Sequence, residues 1–175
     1  MEEKFVMSML VKNEAGVLTR VSSLFGRRNF NIDSLSVGET LDRAVSRITI
    51  TAFGDEYVKR QIQLQLEKLH DVIVVKSMNA CDCVTRELLL IKVNVAQGNR
   101  SEVMEAIAIF RAKVIDITTT SLTVEITGEH SKCNAFLEYL RPFGIVELCR
   151  TGVTAIARGS DILEITTKED KEKEN

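Results

Sequence analysis

The sequence predicts an α+β fold made of two tandem βαββαβ units. Three observations carry that prediction. Segments with period-two apolar alternation and segments with helical apolar spacing follow one another in the same order twice. A short polar bridge, Asn79 to Arg86, separates the two copies. The length of 175 residues is enough for one large domain or two small ones.

Phe5 to Val11 (FVMSMLV) is the first predicted strand. From Ala15 onward the period changes: Leu18, Val21 and Phe25, with Val17 and Leu24 beside them, make one helix face apolar. Arg27, Arg28 and Asn29 end that helix, because basic residues suit its C-terminus and Asn tolerates a left-handed turn. Asn31 to Val37 alternates as a strand, Gly38 to Asp42 turns, and Ala44 to Phe53 alternates again. Gly54-Asp55-Glu56 opens a second helix with Val58, Ile62, Leu66 and Leu69 as its stripe, and Val72 to Val75 closes the unit.

The second copy begins with Leu88 to Val95 (LLLIKVNV). Asn99 and Glu102 have the spacing of a capping box before a helix striped by Val103, Ala106, Ile107 and Phe110. Strands are predicted at about 113–119 and 121–127, followed by a helix carrying Cys133, Phe136, Leu137 and Leu140. Pro142-Phe143-Gly144 stops it before a closing strand at about 145–157. The predicted division is therefore 1–78, a linker at 79–86, a second domain at 87–160, and a charged, disordered tail at 161–175. Both units have the ferredoxin-like order.

Composition excludes several function classes. A net charge of −2 and 5% aromatics argue against a nucleic-acid binder with a basic stripe or base-stacking platform. Ala44 to Phe53 carries one aromatic, whereas an RNA recognition motif needs several in that strand. No apolar run approaches the length of a membrane span, and Met1-Glu2-Glu3-Lys4 makes a poor signal peptide, so a cytoplasmic protein is expected. Cys81, Cys83, Cys133 and Cys149 lack metal-ligand spacing, so reduced thiols and no metal site are expected. His70 and His130 are the only near-neutral bases, without an evident nucleophile partner, and Cys149 is expected to pack inside its strand. No catalytic residue is assigned.

Function is expected at the start of the first helix. Asn13-Glu14-Ala15-Gly16 leads into it, and the matching stretch of the second copy, Ala96-Gln97-Gly98-Asn99, lacks that arrangement. A helix N-terminus offers free N–H groups and partial positive charge to a carboxylate. Gly16 leaves the approach open, and Asn13 adds an amide able to read a zwitterion. On these grounds alone, Asn13 and Gly16 fit an ordinary loop and cap better than a ligand site, since such residues dominate turns generally.

The run N-E-A-G-V-L-T-R-V-x-x-L-F-x-R-R-x-[FY]-N-I-x-S-L-x-V resembles the ACT domain that opens the small, regulatory subunit of acetolactate synthase (acetohydroxyacid synthase). The resemblance continues through S-R-I-T-I, G-D-E-x-V, Q-L-x-K-L-x-D-V, R-E-L-x-L-I-K-V, I-F-R-A-K-V-I-D-I and R-T-G-V-T-A-I-A-R-G, covering Lys4 to Arg158. It implies an N-terminal ACT domain, a C-terminal ACT-like domain, and a non-catalytic homodimeric subunit. Such a subunit activates the large catalytic subunit and confers feedback inhibition by L-valine in branched-chain amino-acid biosynthesis. The family's effector sites lie between two ACT domains. The resemblance thereby assigns Asn13, Gly16 and Asn31 to ligand contact, Ala15, Val17 and Leu18 to backbone N–H donation, and Ile32 to the ammonium end, with Asn31 and Ile32 supplied by the partner protomer. Thiamine diphosphate, magnesium and FAD are expected on the large subunit, and no cofactor in this chain. Where the family often has glycine before [FY]-N-I, this chain has Asn29, which tolerates positive φ. A stand-alone ACT amino-acid sensor is the alternative reading, which the motifs of the second domain oppose.

Overall fold

The computed structural model describes residues 3–79, 82–95 and 98–164. It divides into two compact units, one formed by residues 1–84 with 153–175 and the other by Thr85–Gly152.

In the first unit the chain runs β1 (Glu3–Lys12), α1 (Val17–Arg27), β2 (Ile32–Glu39), β3 (Val45–Gly54), α2 (Glu56–Leu66) and β4 (Val72–Met78). The strands form an antiparallel sheet in the order β2-β3-β1-β4. Register places Met7 opposite Ile50 and Met9 opposite both Ile48 and Val75. Alternation turns these residues to one face, where Val21, Phe25, Ile62 and Leu66 meet them in a single core. Each such side chain contributes about 1.5–3 kcal/mol by leaving water. α1 ends as expected: Asn29 takes φ 56°, and Phe30 N–H reaches back to Phe25 O at 3.0 Å. Asp55 caps α2 by accepting from Val58 N–H at 2.8 Å.

The sheet face away from the helices is covered by the chain's own C-terminal part. Ser36 Oγ donates to Val153 O at 3.1 Å, and Val153 N–H donates to Ser34 Oγ at 3.2 Å. Arg47 Nη1 donates to Ala155 O at 3.4 Å, and Leu163 packs on Leu10 and Val45. The expected 87–160 domain thus gives up its last segment. The predicted 145–157 strand is really two, β8 (Ile145–Arg150) and β9 (Thr154–Ala157), broken where Gly152 takes φ 81°. The physical reason is apolar cover: Val6, Leu10 and Val45 lie on a face that β9 and Leu163 shield. Leu163, expected in the tail, is buried, whereas residues 165–175 lie outside the described residues, as do Ala80 and Cys81.

The second unit repeats the design with β5 (Cys83–Asn94), α3 (Arg100–Phe110), β6 (Lys113–Ile117), β7 (Ser121–Gly128), α4 (His130–Leu140) and β8, in the order β6-β7-β5-β8. Leu89, Ile91, Val93, Leu122, Val124 and Ile126 face Val103, Ile107, Cys133, Phe136 and Leu140. Two expectations fail here. Asn99 stands at the N-cap of α3 with helical backbone and no side-chain cap bond, so the capping box does not form. Cys149 is exposed, not packed, because it lies opposite Leu90, on the sheet face away from the helices.

Candidate functional site

The loop between β1 and α1 is fixed at both ends. Asn13 N–H donates to Ala44 O at 2.7 Å, while its side-chain Nδ2 donates to Arg43 O at 2.9 Å and to Glu39 Oε1 at 3.4 Å. Its amide donors are therefore engaged by Arg43 and Glu39, leaving Oδ1 as the side chain's acceptor for a donor such as an ammonium group. This differs from the sequence expectation that Asn13 would offer both donors and an acceptor.

Gly16 is the N-cap of α1 with φ 85° and ψ −9°, a backbone shape that L side chains rarely adopt. A Cβ built there would stand 3.2 Å from Arg20 Nη1. The glycine is thus favoured by its own dihedrals, and the end of the Arg20 side chain would have to give by a few tenths of an ångström to admit a Cβ. Val17 is buried and anchors the helix start, whereas Leu18 is 39% exposed. Val17 N–H points at Glu14 O at a long 3.4 Å, and the first full helical bond is Arg20 N–H to Gly16 O at 3.0 Å. The amides of Leu18 and Thr19, lying before that bond, are open donors of the first turn. Of the three residues expected to supply backbone N–H groups, Ala15 and Leu18 have no backbone acceptor among the described residues and Val17 is partly engaged within the loop.

Arg20 has its own tether. Its Nε donates to Asp71 Oδ2 at 2.6 Å, and Asp71 O accepts from Lys12 N–H at 2.9 Å. Beside this pair Lys12 Nζ donates to His70 Nε2 at 3.4 Å. Arg20 stands four residues after Gly16, on the same helix face, which was a usable signal in the sequence. Asp71, Glu39 and Arg43 reach the loop only through tertiary pairing, and no local pattern announces them.

Asn31 and Ile32 lie elsewhere. Ile32 pairs with Ala52, which pairs with Phe5, whereas the Asn13 loop continues from Lys12, paired with Val45. The seven residue steps from Phe5 to Lys12 span roughly 23 Å of strand. One chain therefore holds the two groups of expected ligand residues at opposite ends of its sheet. β2, which carries Asn31 and Ile32 at its start, is the outer strand, and its far side is unpaired among the described residues.

The other polar cluster belongs to the second unit. Glu87, buried, accepts from Arg150 Nη1 at 3.1 Å, and His130 Nδ1 stands 3.3 Å from the same oxygen. Arg150 Nη2 donates to Asn134 Oδ1 at 2.8 Å, and Asn134 Nδ2 meets His130 Nε2 at 3.0 Å. Burial, the Glu87 charge and a hydrogen bond to that carboxylate push the Cys133 thiol up, so it stays protonated. This closed network ties α4 to the sheet. Among the described residues no group of three or more His, Cys, Asp or Glu has metal-binding geometry, and no helix is long and apolar enough to cross a membrane.

Comparison with known proteins decides the family. Residues 7–74 match the family described as the AHAS small subunit-like ACT domain, and residues 86–159 match the one described as the small subunit of acetolactate synthase. The chain belongs to the acetolactate synthase small-subunit family. A probable acetolactate synthase small subunit of Methanothermobacter thermautotrophicus is 47% identical over 156 residues, covering 89% of this chain and 93% of that one. The Mycobacterium leprae small subunit is 48% identical over 153 residues, covering 87% and 90%. The crystal structure of the Thermotoga maritima small subunit superposes with a TM-score of 0.84 at 37% identity, covering 91% of this chain and 99% of that one. Membership of the acetolactate synthase small-subunit family makes this chain a regulatory subunit, in two ferredoxin-like units of ACT type.

Proposed function

We propose that this chain is the non-catalytic regulatory subunit that activates a thiamine-diphosphate-dependent acetolactate synthase large subunit and makes it sensitive to L-valine. Thiamine diphosphate, magnesium and FAD belong to that large subunit, and the complex works in the cytoplasm. The effector site is completed by a second copy of the chain.

One observation supports this reading: the Asn13–Gly16 loop follows one end of β1, whereas Asn31 and Ile32 lie at the opposite end of the same sheet. An antiparallel twofold pairing of β2 with β2 of a second copy, centred between Leu35 and Ser36, sets Ile32 of one chain opposite Glu39 of the other. Glu39 is the residue that Asn13 touches at 3.4 Å. The same symmetric pairing thus delivers Asn31 and Ile32 of each protomer to the loop of its partner. There the carboxylate of valine meets the open amides of α1, and its ammonium meets Asn13 Oδ1 and the backbone at Ile32.

Feedback then follows from linkage. Valine inhibits if it binds the inactive arrangement of the dimer better than the active one, and a coupling of about 1–3 kcal/mol suffices. Titrating L-valine into the full chain, and assaying the reconstituted enzyme with wild-type and Gly16→Asp subunits, tests the reading. Saturable binding and inhibition, both lost in the variant while activation persists, are expected. Undiminished valine sensitivity of the Gly16→Asp enzyme would refute the assignment of the site. The stand-alone sensor is the weaker reading, since the small-subunit match extends over residues 86–159.

A further inference from the structure

We infer that Arg20 is the residue that reads the effector's carboxylate, held in place for that task by Asp71. The inference rests on the effector site proposed above and adds a residue to it.

Three features of the first unit point the same way. Arg20 lies one helical turn after Gly16 and is half-exposed, at 49% of its side chain, so its charged end is accessible to a ligand. Only Nε is committed, to Asp71 Oδ2 at 2.6 Å. Nη1 and Nη2 have no acceptor among the described residues, and Nη1 is the atom that a Gly16 side chain would strike at 3.2 Å. The unused edge of the guanidinium therefore overhangs the glycine, beside the open amides of the first turn of α1.

Asp71 explains why that edge is stationary. Its side chain is 12% exposed, and its carbonyl is bonded to Lys12 N–H at the end of β1. A guanidinium fixed through Nε to an anchored carboxylate retains two N–H groups in its fork, the geometry that suits a second carboxylate. Because the side chain is already ordered, binding forfeits little of its rotamer freedom. Asp71 is a positioning residue here and balances the charge when the site is empty. Among the described residues Asp71 is the one acid that bonds Arg20, and Glu39 is engaged by Asn13 instead.

The experiment compares L-valine with L-valinamide, which keeps the ammonium and the side chain but lacks the carboxylate charge. Both are titrated calorimetrically into the full-length wild-type, Arg20→Gln, Arg20→Lys and Asp71→Asn proteins, with thermal melts alongside. Loss of a charge-assisted bond weakens binding by about tenfold or more. Wild type is expected to prefer valine over valinamide by about that factor, and Arg20→Gln to lose the preference while its valinamide affinity holds. Arg20→Lys keeps part of the preference, and Asp71→Asn reduces it through a mispositioned guanidinium. Wild-type affinity for valine in Arg20→Gln, or equal weakening of both compounds, would overturn the inference and leave the effector site standing. Wild-type protein that binds neither compound would overturn the effector reading and this inference together.

Discussion

Gly16 offers the sharpest separation of backbone from charge. Its φ of 85° costs an ordinary L residue about 1–2 kcal/mol. Asn tolerates that region better than most, and Asn and Asp have nearly the same size. Gly16→Asn and Gly16→Asp therefore share the steric perturbation, including the push on Arg20 from a Cβ at 3.2 Å, and differ in one negative charge. Two carboxylates about 4 Å apart repel by about 1 kcal/mol in bulk water and about 4 kcal/mol at an effective dielectric of 20. On that range Gly16→Asp should bind valine between about fivefold and several hundredfold more weakly than Gly16→Asn. The added Asp also lies within reach of Arg20 and competes for the guanidinium the ligand needs. The assay is calorimetric titration of valine at low and high salt, since screening narrows the gap between the two variants. Equal affinities for Gly16→Asn and Gly16→Asp would refute the placement of the ligand carboxylate at this loop.

Three further outcomes follow from packing and charge. Leu163→Ala should destabilise the first unit by about 2 kcal/mol, because Leu163 is 8% exposed against Leu10 and Val45; an unchanged urea midpoint would show that the C-terminal segment does not cover the sheet. Arg150→Ala should cost about 3–5 kcal/mol by leaving the Glu87 carboxylate buried without its guanidinium partner, with Glu87→Gln in the same background restoring part of it, as read by denaturant melts. Burial and Glu87 raise the Cys133 thiol above its ordinary value of 9.0, so the folded chain retains a proton that the unfolded chain releases. Its stabilising contribution is intact below pH about 9 and falls as pH rises toward the folded value, and Cys133→Ser should flatten that alkaline loss.

The fold was legible where periodicity is strong and local. Met7, Met9, Ile48 and Ile50 alternate as buried strand residues must, and Val21, Phe25, Ile62 and Leu66 mark their helix faces unambiguously. What escaped is non-local. Nothing around Thr154 to Ala157 says that it covers the first sheet, because the signal is the apolar back of β1 and β4, far away in sequence. The spacing of Asn99 and Glu102 suggested a cap that the backbone at Asn99 does not form. At the candidate site, Asn13 and Gly16 were visible as loop chemistry. Their partners Arg43 and Glu39 appear only when the β2–β3 turn is folded against the loop, whereas Arg20, one helical turn after Gly16, was readable from the helix spacing.

The separation of Asn13 from Asn31 within one chain has a thermodynamic consequence. If each effector site takes one half from each protomer, a monomer offers valine half a site, and the ligand binds the dimer alone. Linkage then requires valine to tighten dimerisation. At a free concentration of 100 times Kd, each site contributes about 2.7 kcal/mol, and two symmetric sites together about 5.4 kcal/mol. That is roughly four orders of magnitude in the dimer dissociation constant. Sedimentation of the full chain, diluted until the unliganded dimer begins to dissociate, should show saturating valine restoring the dimer across a wide dilution range. Addition of Gly16→Asp removes the effect without altering the unliganded dimer, because the loop is remote from the centre of the β2 edge. A monomer that binds valine with full affinity, or a dimer whose dissociation ignores valine, would mean that each chain holds a complete site. The roughly 23 Å between the two halves of that site argues against such an outcome.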